Sequence, residues 1–182
     1  MKKKILLVIS LFIVLFTISG CSLLNNNTPT KKVETLLMNY QKNDEGILSE
    51  LTDYLKTLTI QDEYFEDYKK VYLRQYQDLK YEIKNETIDG DNAIVTAQIN
   101  VYDYYKVENE VNNYIATNST DFNNDGLFDT LKAMKYRIDE LNKTNDRVDY
   151  TIDFTLTKIN DEWTINNLTD EDLQKIHGIY AY

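Results

Sequence analysis

One short acidic stretch has the residue types and spacing of a calcium-binding loop. The stretch reads DFNNDGLFD and covers residues 121–129. Calcium loops that lie between two helices take oxygen ligands from positions 1, 3, 5, 7 and 9, with a glycine at position 6 and a backbone carbonyl at position 7. Counted from the first aspartate, the ligand positions hold Asp121, Asn123, Asp125, Leu127 and Asp129. The spacing therefore predicts a calcium site formed by these five residues.

The twelfth position of the loop departs from the calcium pattern. It usually holds a glutamate that binds the ion with both oxygens, whereas here it is Lys132. The lost oxygens and the added positive charge would weaken the site unless a neighbouring carboxylate replaced them. A simpler interpretation also fits, in which Asp125 caps a helix that begins at about Leu127. Both interpretations stay open, and a bound ion would brace the loop rather than take part in a reaction.

Residues that could support catalysis are few. The single histidine, His177, precedes Gly178 in the last turn of a short predicted helix. A protonated imidazole there would interact favourably with the negative end of the helix dipole, so we expect a structural role. Asp103 continues the apolar face of a predicted strand over 95–101 and lies beside three tyrosines. It is the one carboxylate that could act as a base in an apolar pocket.

The first 21 residues have the layout of an export signal. Three lysines at positions 2–4 precede an apolar run over 5–18, which at about 14 residues is shorter than the roughly 20 needed by a spanning helix. The stretch Ile18-Ser-Gly-Cys21 that follows resembles the lipobox of bacterial lipoproteins. That resemblance implies cleavage of residues 1–20 and attachment of a diacylglycerol, with acyl chains such as palmitate, to Cys21. An ordinary signal sequence or an uncleaved anchor are the alternatives.

The cysteine content limits the chemistry available to the folded part of the chain, and the net charge limits the classes of molecule it can bind. Cys21 is the only cysteine, so no disulfide within the chain and no cysteine nucleophile in the folded part are expected. The formal net charge is −10, and removal of the signal lysines makes it more negative. An acidic domain is repelled by nucleic acid and by anionic headgroups. We therefore expect contact with the membrane through the lipid on Cys21 and no nucleic-acid partner, although the charge also serves simply to keep an exported domain dispersed.

Hydrophobic periodicity predicts an α+β fold. After a tether over 21–28, a single domain is expected over 29–178, with helices at its N-terminal end and antiparallel strands in hairpins after them. Helical spacing is found over about 29–40, 47–58, 65–79, 104–118, 127–141 and 169–178. Alternation and turn signals predict about four strands, over about 81–88, 95–101, 148–156 and 163–168. The two helices within 104–145 therefore form an insertion between strands.

The third helix carries an unusual share of the chain's 15 tyrosines. Phe65, Tyr68, Tyr72, Tyr76 and Leu79 recur every three or four residues. We expect this face to pack in the core with the tyrosine hydroxyls reaching solvent at its edge. An aromatic binding box is the alternative.

The order of elements, with the phrase DEWTI at 161–165, resembles small exported lipoproteins with an NTF2-like (cystatin-like) domain. In that family a curved antiparallel sheet wraps around a long helix and leaves a cone-shaped pocket. The family includes both enzymes and binding domains, so the resemblance implies a fold rather than an activity. The helical insertion over 104–145 departs from the family plan, in which strands follow one another closely.

These observations favour a non-catalytic binding or assembly module, lipid-anchored on the outer face of a bacterial cytoplasmic membrane. Its partner would be a protein or a small molecule, and calcium is the only cofactor the residues suggest. Richness in Asn, Lys, Ile and Tyr is typical of a low-GC, single-membrane bacterium. A small NTF2-like enzyme with a pocket carboxylate and tyrosines, or a calcium-braced structural module, are the alternatives.

Overall fold

The computed structural model describes residues 27–182, so the predicted signal sequence and Cys21 lie outside the described residues. Its helices are α1 (Pro29–Lys42), α2 (Glu45–Thr57), α3 (Phe65–Gln77), α4 (Tyr104–Thr117), α5 (Thr130–Lys143) and α6 (Asp170–His177). Its strands are β1 (Lys80–Asp89), β2 (Asn92–Tyr102), β3 (Asn123–Asn124), β4 (Leu127–Phe128), β5 (Arg147–Ile159) and β6 (Glu162–Ile165). The predicted α+β fold, with helices packed on an antiparallel sheet and a helical insertion between strands, is confirmed.

The main sheet has the order β1-β2-β5-β6, with every neighbouring pair antiparallel. The hairpin predicted at 89–92 closes β1 on β2, where Asp89 pairs with Asn92. Pairing of β2 with β5 ends where Tyr102 lies opposite Arg147. The insertion of α4, β3, β4 and α5 therefore leaves and rejoins the sheet at the same end.

One face of the sheet is buried and the other faces water. The alternating residues Val95, Ala97, Ile99, Val101, Ile152, Phe154 and Leu156 are all buried. Helices α1 and α6 lie against this face. On the opposite face Thr96 donates a hydrogen bond to Asp153, and Asn100 donates one to Asp149. The inner face of the sheet is thus filled with side chains rather than open as a deep cone.

The chain enters the fold at Asn27. Its side-chain amide donates to the Asp161 carbonyl at 2.7 Å, and its amide oxygen accepts from the Trp163 N–H at 3.0 Å. Thr28 then caps α1 by accepting from the Lys31 N–H, as the sequence predicts. The segment that leads in from the predicted anchor therefore meets the fold at the β5–β6 hairpin.

One predicted element begins in the wrong place. The helix expected from Leu127 begins at Thr130, and Asp129 rather than Asp125 caps it. Asp125 and Gly126 both have positive φ values, 51° and 81°, which are the conformations of a two-residue hairpin turn. Leu127 and Phe128 therefore extend as β4 and pair with β3 instead of joining the helix.

Among the glycines with positive φ, Gly178 should tolerate substitution by alanine least. Its φ is 73°, and an added Cβ would lie 2.2 Å from the Tyr102 carbonyl oxygen. Gly90, with φ 59°, has nothing within 4 Å of such a Cβ. Both alanine substitutions carry the strain of a left-handed conformation, roughly 1–2 kcal/mol, but only Gly178→Ala must also displace backbone. We expect Gly178→Ala to lose at least about 2 kcal/mol more than Gly90→Ala in urea unfolding. Equal losses would contradict this packing.

Candidate functional site

His177 lies at the centre of a buried aromatic cluster. It is 4% exposed, and its Nε2 is 2.8 Å from the Tyr76 hydroxyl oxygen. The ring centres of Tyr54, Tyr72 and Tyr76 lie 4.5, 5.2 and 5.8 Å from that of the imidazole. Helix α6 places the histidine under α2 and α3, so residues far apart in sequence form one site.

The expectation of a protonated histidine at the helix end is wrong. Burial lowers the pKa of His177 from 6.5 to about 4, so the imidazole is neutral at pH 7. Removing a charged imidazole from water costs more than the end of one short helix returns. His177 therefore contributes packing and one hydrogen bond to Tyr76 rather than a charge.

The tyrosine face of α3 packs in the core, as predicted, but its hydroxyls do not simply reach solvent. Tyr68 donates to the Glu108 carboxylate at 3.0 Å, and the Tyr76 hydroxyl pairs with His177. Tyr104, on α4, donates to the Val71 carbonyl at 3.1 Å. The hydroxyls thus join the insertion and α6 to α3 from inside.

A cavity of about 320 Å³ lies beside the buried histidine. Its aromatic wall comprises Tyr40, Tyr54, Tyr76 and His177, and apolar side chains of α2 and α6 also line it. Glu50 and Asp53, both on α2, also line it and are exposed. The volume is at the lower end of the range of small-molecule sites.

Asp103 acts as a helix cap. It is 5% exposed, and its Oδ1 accepts from the Lys106 N–H at 3.0 Å at the start of α4. Its Oδ2 accepts from the Tyr182 hydroxyl at 2.7 Å. Each carboxylate oxygen therefore accepts one hydrogen bond, and the pair of bonds fixes Asp103 at the start of α4.

The residues predicted to bind calcium surround a tight hairpin. Asn123 and Leu127 lie on its paired strands, and Asp125 is in its turn. The Asp121 carboxylate accepts from the Tyr114 hydroxyl at 3.3 Å, while Asp129 caps α5. Within residues 27–182 no group of three or more His, Cys, Asp or Glu side chains is placed to hold a metal ion. Calcium binding stays a prediction, and it would require these carboxylates to move together.

The same hairpin carries an exposed apolar surface that sequence analysis missed. Leu127 is 76% exposed and Phe128 49%, and the exposed side chains of Leu131 and Tyr114 belong to the same insertion. We call these four residues the insertion tip. The sequence pattern that could have predicted this surface is the apolar pair Leu127-Phe128 directly after a turn. It was missed because a helix was expected to begin at Leu127.

Comparisons with known proteins identify no family. No protein-family model matches this chain, and no curated protein matches it. A solved structure described as a candidate lipoprotein, ycdA, from Bacillus subtilis subsp. subtilis str. 168 is similar over 94% of this chain at 16% identity, with a TM-score of 0.43. The match covers 54% of that structure's chain, so this chain spans about half its length. At this TM-score the likeness carries no functional argument.

Helices in the described part of the chain are too short or too polar to cross a bilayer.

The buried imidazole should make the folded protein less stable as the pH falls from about 6.5 to about 4. Unfolded His177 binds a proton near its ordinary pKa of 6.5, whereas the folded residue does so only near 4. Its contribution is therefore complete above about pH 6.5 and is lost as the pH falls towards 4, by up to about 3 kcal/mol.

The check is urea unfolding of the wild type and His177→Gln between pH 7.5 and 4.5. Because other groups titrate in both proteins, the difference between them isolates the histidine. We expect the wild type to be the more stable at pH 7.5 and its advantage to shrink with falling pH. A difference that does not change with pH would contradict a neutral buried histidine.

Calcium binding to the loop should be weak and should depend on Asp125. We expect native mass spectrometry of the full-length protein in detergent to show one calcium adduct at about millimolar calcium. Asp125→Asn should remove it, since asparagine tolerates the same backbone conformation but lacks the charge. Asp89→Asn, an exposed aspartate before the turn of another hairpin, is the matched control. If no adduct forms, or if Asp125→Asn leaves it intact, the stretch is only a hairpin and a helix cap.

Proposed function

We propose that this protein is a lipid-anchored, extracytoplasmic and non-catalytic binding or assembly module, and that the insertion tip is its partner-binding surface. The observation that carries the proposal is the exposure of Leu127 and Phe128 at the tip of an otherwise acidic protein. Exposed apolar patches with a polar rim mark interaction sites. The anchor is the lipid expected on Cys21, which would hold the domain on the outer face of the cytoplasmic membrane.

The topology supports an insertion whose base lies away from the membrane-anchored end of the fold. The N-terminal segment contacts the fold at the β5–β6 hairpin, through Asn27. The insertion joins the sheet at the other end of β5, which has 13 residues and so extends roughly 40 Å at about 3.3 Å per residue. The base of the insertion and the anchored end are therefore at opposite ends of the sheet.

The filled sheet face supports binding to a macromolecule over catalysis. In the NTF2-like arrangement that the sequence resembles, an enzyme uses an open cone with inward-facing polar groups. Here the positions that would line such a cone include Val95, Ile99 and Phe154, each no more than 1% exposed. The small NTF2-like enzyme therefore remains only as an alternative, with Asp103 as its candidate base.

The chemistry of the tip suggests what it binds. Asp121, Asp125 and Asp129 lie around the apolar pair on the same hairpin and its flanks. These carboxylates would repel anionic lipid headgroups, so a membrane surface is a poor fit. A protein surface with an apolar centre and a basic rim is complementary to both features. Calcium in this loop would stiffen the tip, which is the calcium-braced alternative.

The proposal can be tested with a photo-cross-linking amino acid placed at Phe128 in the native bacterium. We expect a discrete adduct with one protein in the membrane fraction. The matched control is the same amino acid at Ile88, which is 52% exposed and lies in β1, outside the insertion. Cys21→Ser should abolish incorporation of labelled palmitate into the protein.

Three outcomes would contradict the proposal. An adduct of twice the chain mass would mean that the tip binds a second copy of this chain. Adducts that are the same from Phe128 and Ile88, or absent from both, would remove the tip as a binding surface. Palmitate incorporation that persists in Cys21→Ser would rule out the lipid anchor on this residue.

A further inference from the structure

The cavity beside His177 combines aromatic walls with negative charge. Tyr40, Tyr54 and Tyr76 supply rings, and the buried imidazole of His177 forms part of the wall. The cavity is separate from the insertion tip, because α1, α2, α3 and α6 provide its lining. It is also separate from the buried face of the sheet.

The charge at the cavity is negative on balance. Glu50 and Asp53 are exposed lining residues, and the side chains that line the cavity include no lysine or arginine among the described residues. Asp53 already pairs with Lys56 at 2.9 Å. Burial and then the Glu50 carboxylate raise the pKa of the Tyr40 hydroxyl, which indicates that this carboxylate acts on the aromatic wall. Because His177 is neutral at pH 7, it adds no opposing charge.

A cation with an apolar surface matches these features better than other small ligands. Aromatic rings attract a cation placed over their faces, by about 0.5–2 kcal/mol according to how far the site is desolvated. A carboxylate at the opening adds a Coulomb attraction. An anion would be repelled by Glu50, and a neutral apolar ligand would make no use of its carboxylate.

We propose that the cavity beside His177 binds a small organic ammonium ion, with Tyr40, Tyr54 and Tyr76 around its alkyl groups and Glu50 at its opening. Alkyl substituents on the nitrogen pack against the apolar lining of the cavity, whose volume is about 320 Å³, and they lower the cost of removing the charge from water. Tyr54 is the ring most open to manipulation, since it is only half-buried whereas Tyr40 and Tyr76 are almost fully buried.

The test compares choline with 3,3-dimethyl-1-butanol, which has the same shape but a neutral carbon in place of the quaternary nitrogen. The full-length protein in detergent is titrated with each while backbone amide shifts are followed by NMR. We expect choline to shift amides of α2 and α6 and to bind at least about fivefold more tightly than the neutral alcohol. Shifts confined to other elements would overturn the proposed location.

Matched variants distinguish the contribution of the Tyr54 ring to choline affinity from that of the Glu50 carboxylate. Tyr54→Leu should weaken choline about fivefold or more, while Tyr54→Phe keeps the ring and should stay within about twofold of wild type. Glu50→Gln should weaken it about threefold to tenfold. Glu66→Gln removes an exposed carboxylate at the start of α3, outside the cavity lining, and should have no effect.

The proposal fails if the neutral alcohol binds as tightly as choline, because the cavity would then be merely apolar. It also fails if Tyr54→Leu or Glu50→Gln behaves like Glu66→Gln, or if no binding is seen at tens of millimolar choline. None of these results bears on the insertion tip, whose partner binding is tested separately at Phe128.

Discussion

The arrangement of the molecule depends on one buried amide. Gln75, which is 0% exposed, accepts from the Tyr102 N–H at 2.8 Å and donates to the Tyr102 carbonyl at 3.0 Å. Tyr102 is the last residue of β2, so these two bonds satisfy the backbone at the point where the strand ends and the insertion begins. An unpaired buried amide or peptide group there would cost roughly 1–3 kcal/mol each. The pair fixes α3 to the end of the sheet.

Other parts of the fold meet at the same point. The absence of a side chain at Gly178 lets α6 end directly against Gln75 and the Tyr102 carbonyl. Asp103 then caps α4 and accepts from Tyr182 near the end of the chain. On the outer side the guanidinium of Arg74 lies 3.8 Å from the centre of the Tyr102 ring. The direction of the insertion is thus set by a junction whose polar groups are all paired.

The core next to this junction contains several buried side chains with polar groups, among them His177 and Tyr76. The Tyr76 hydroxyl pairs with the His177 imidazole, and the Tyr104 hydroxyl donates to the Val71 carbonyl, so these buried polar groups have defined partners. Such networks favour one arrangement of the surrounding helices, because a shift of any helix would leave a hydroxyl unpaired. They also leave an aromatic cavity at their edge. A tyrosine-rich core therefore serves packing and creates a candidate binding site at the same time.

The exposed apolar residues of the insertion contrast with that paired interior. Leu127 and Phe128 lie on a two-residue hairpin whose backbone is fixed by the positive φ values of Asp125 and Gly126. Their exposure follows from the turn, which makes residues 127 and 128 extend as a strand instead of joining the helix that begins at Thr130.

The sequence by itself determined the features that depend on neighbours close in the chain. These include the α+β class, the 89–92 hairpin, the alternation of β2 and β5, and the cap at Thr28. The periods of helix and strand are local properties, which is why they could be read directly. Only the tertiary structure decided the neutral state of His177, the pairing of Asp103 with Tyr182 and the cavity of tyrosines, because each depends on residues separated by many tens of positions whose proximity no local pattern encodes.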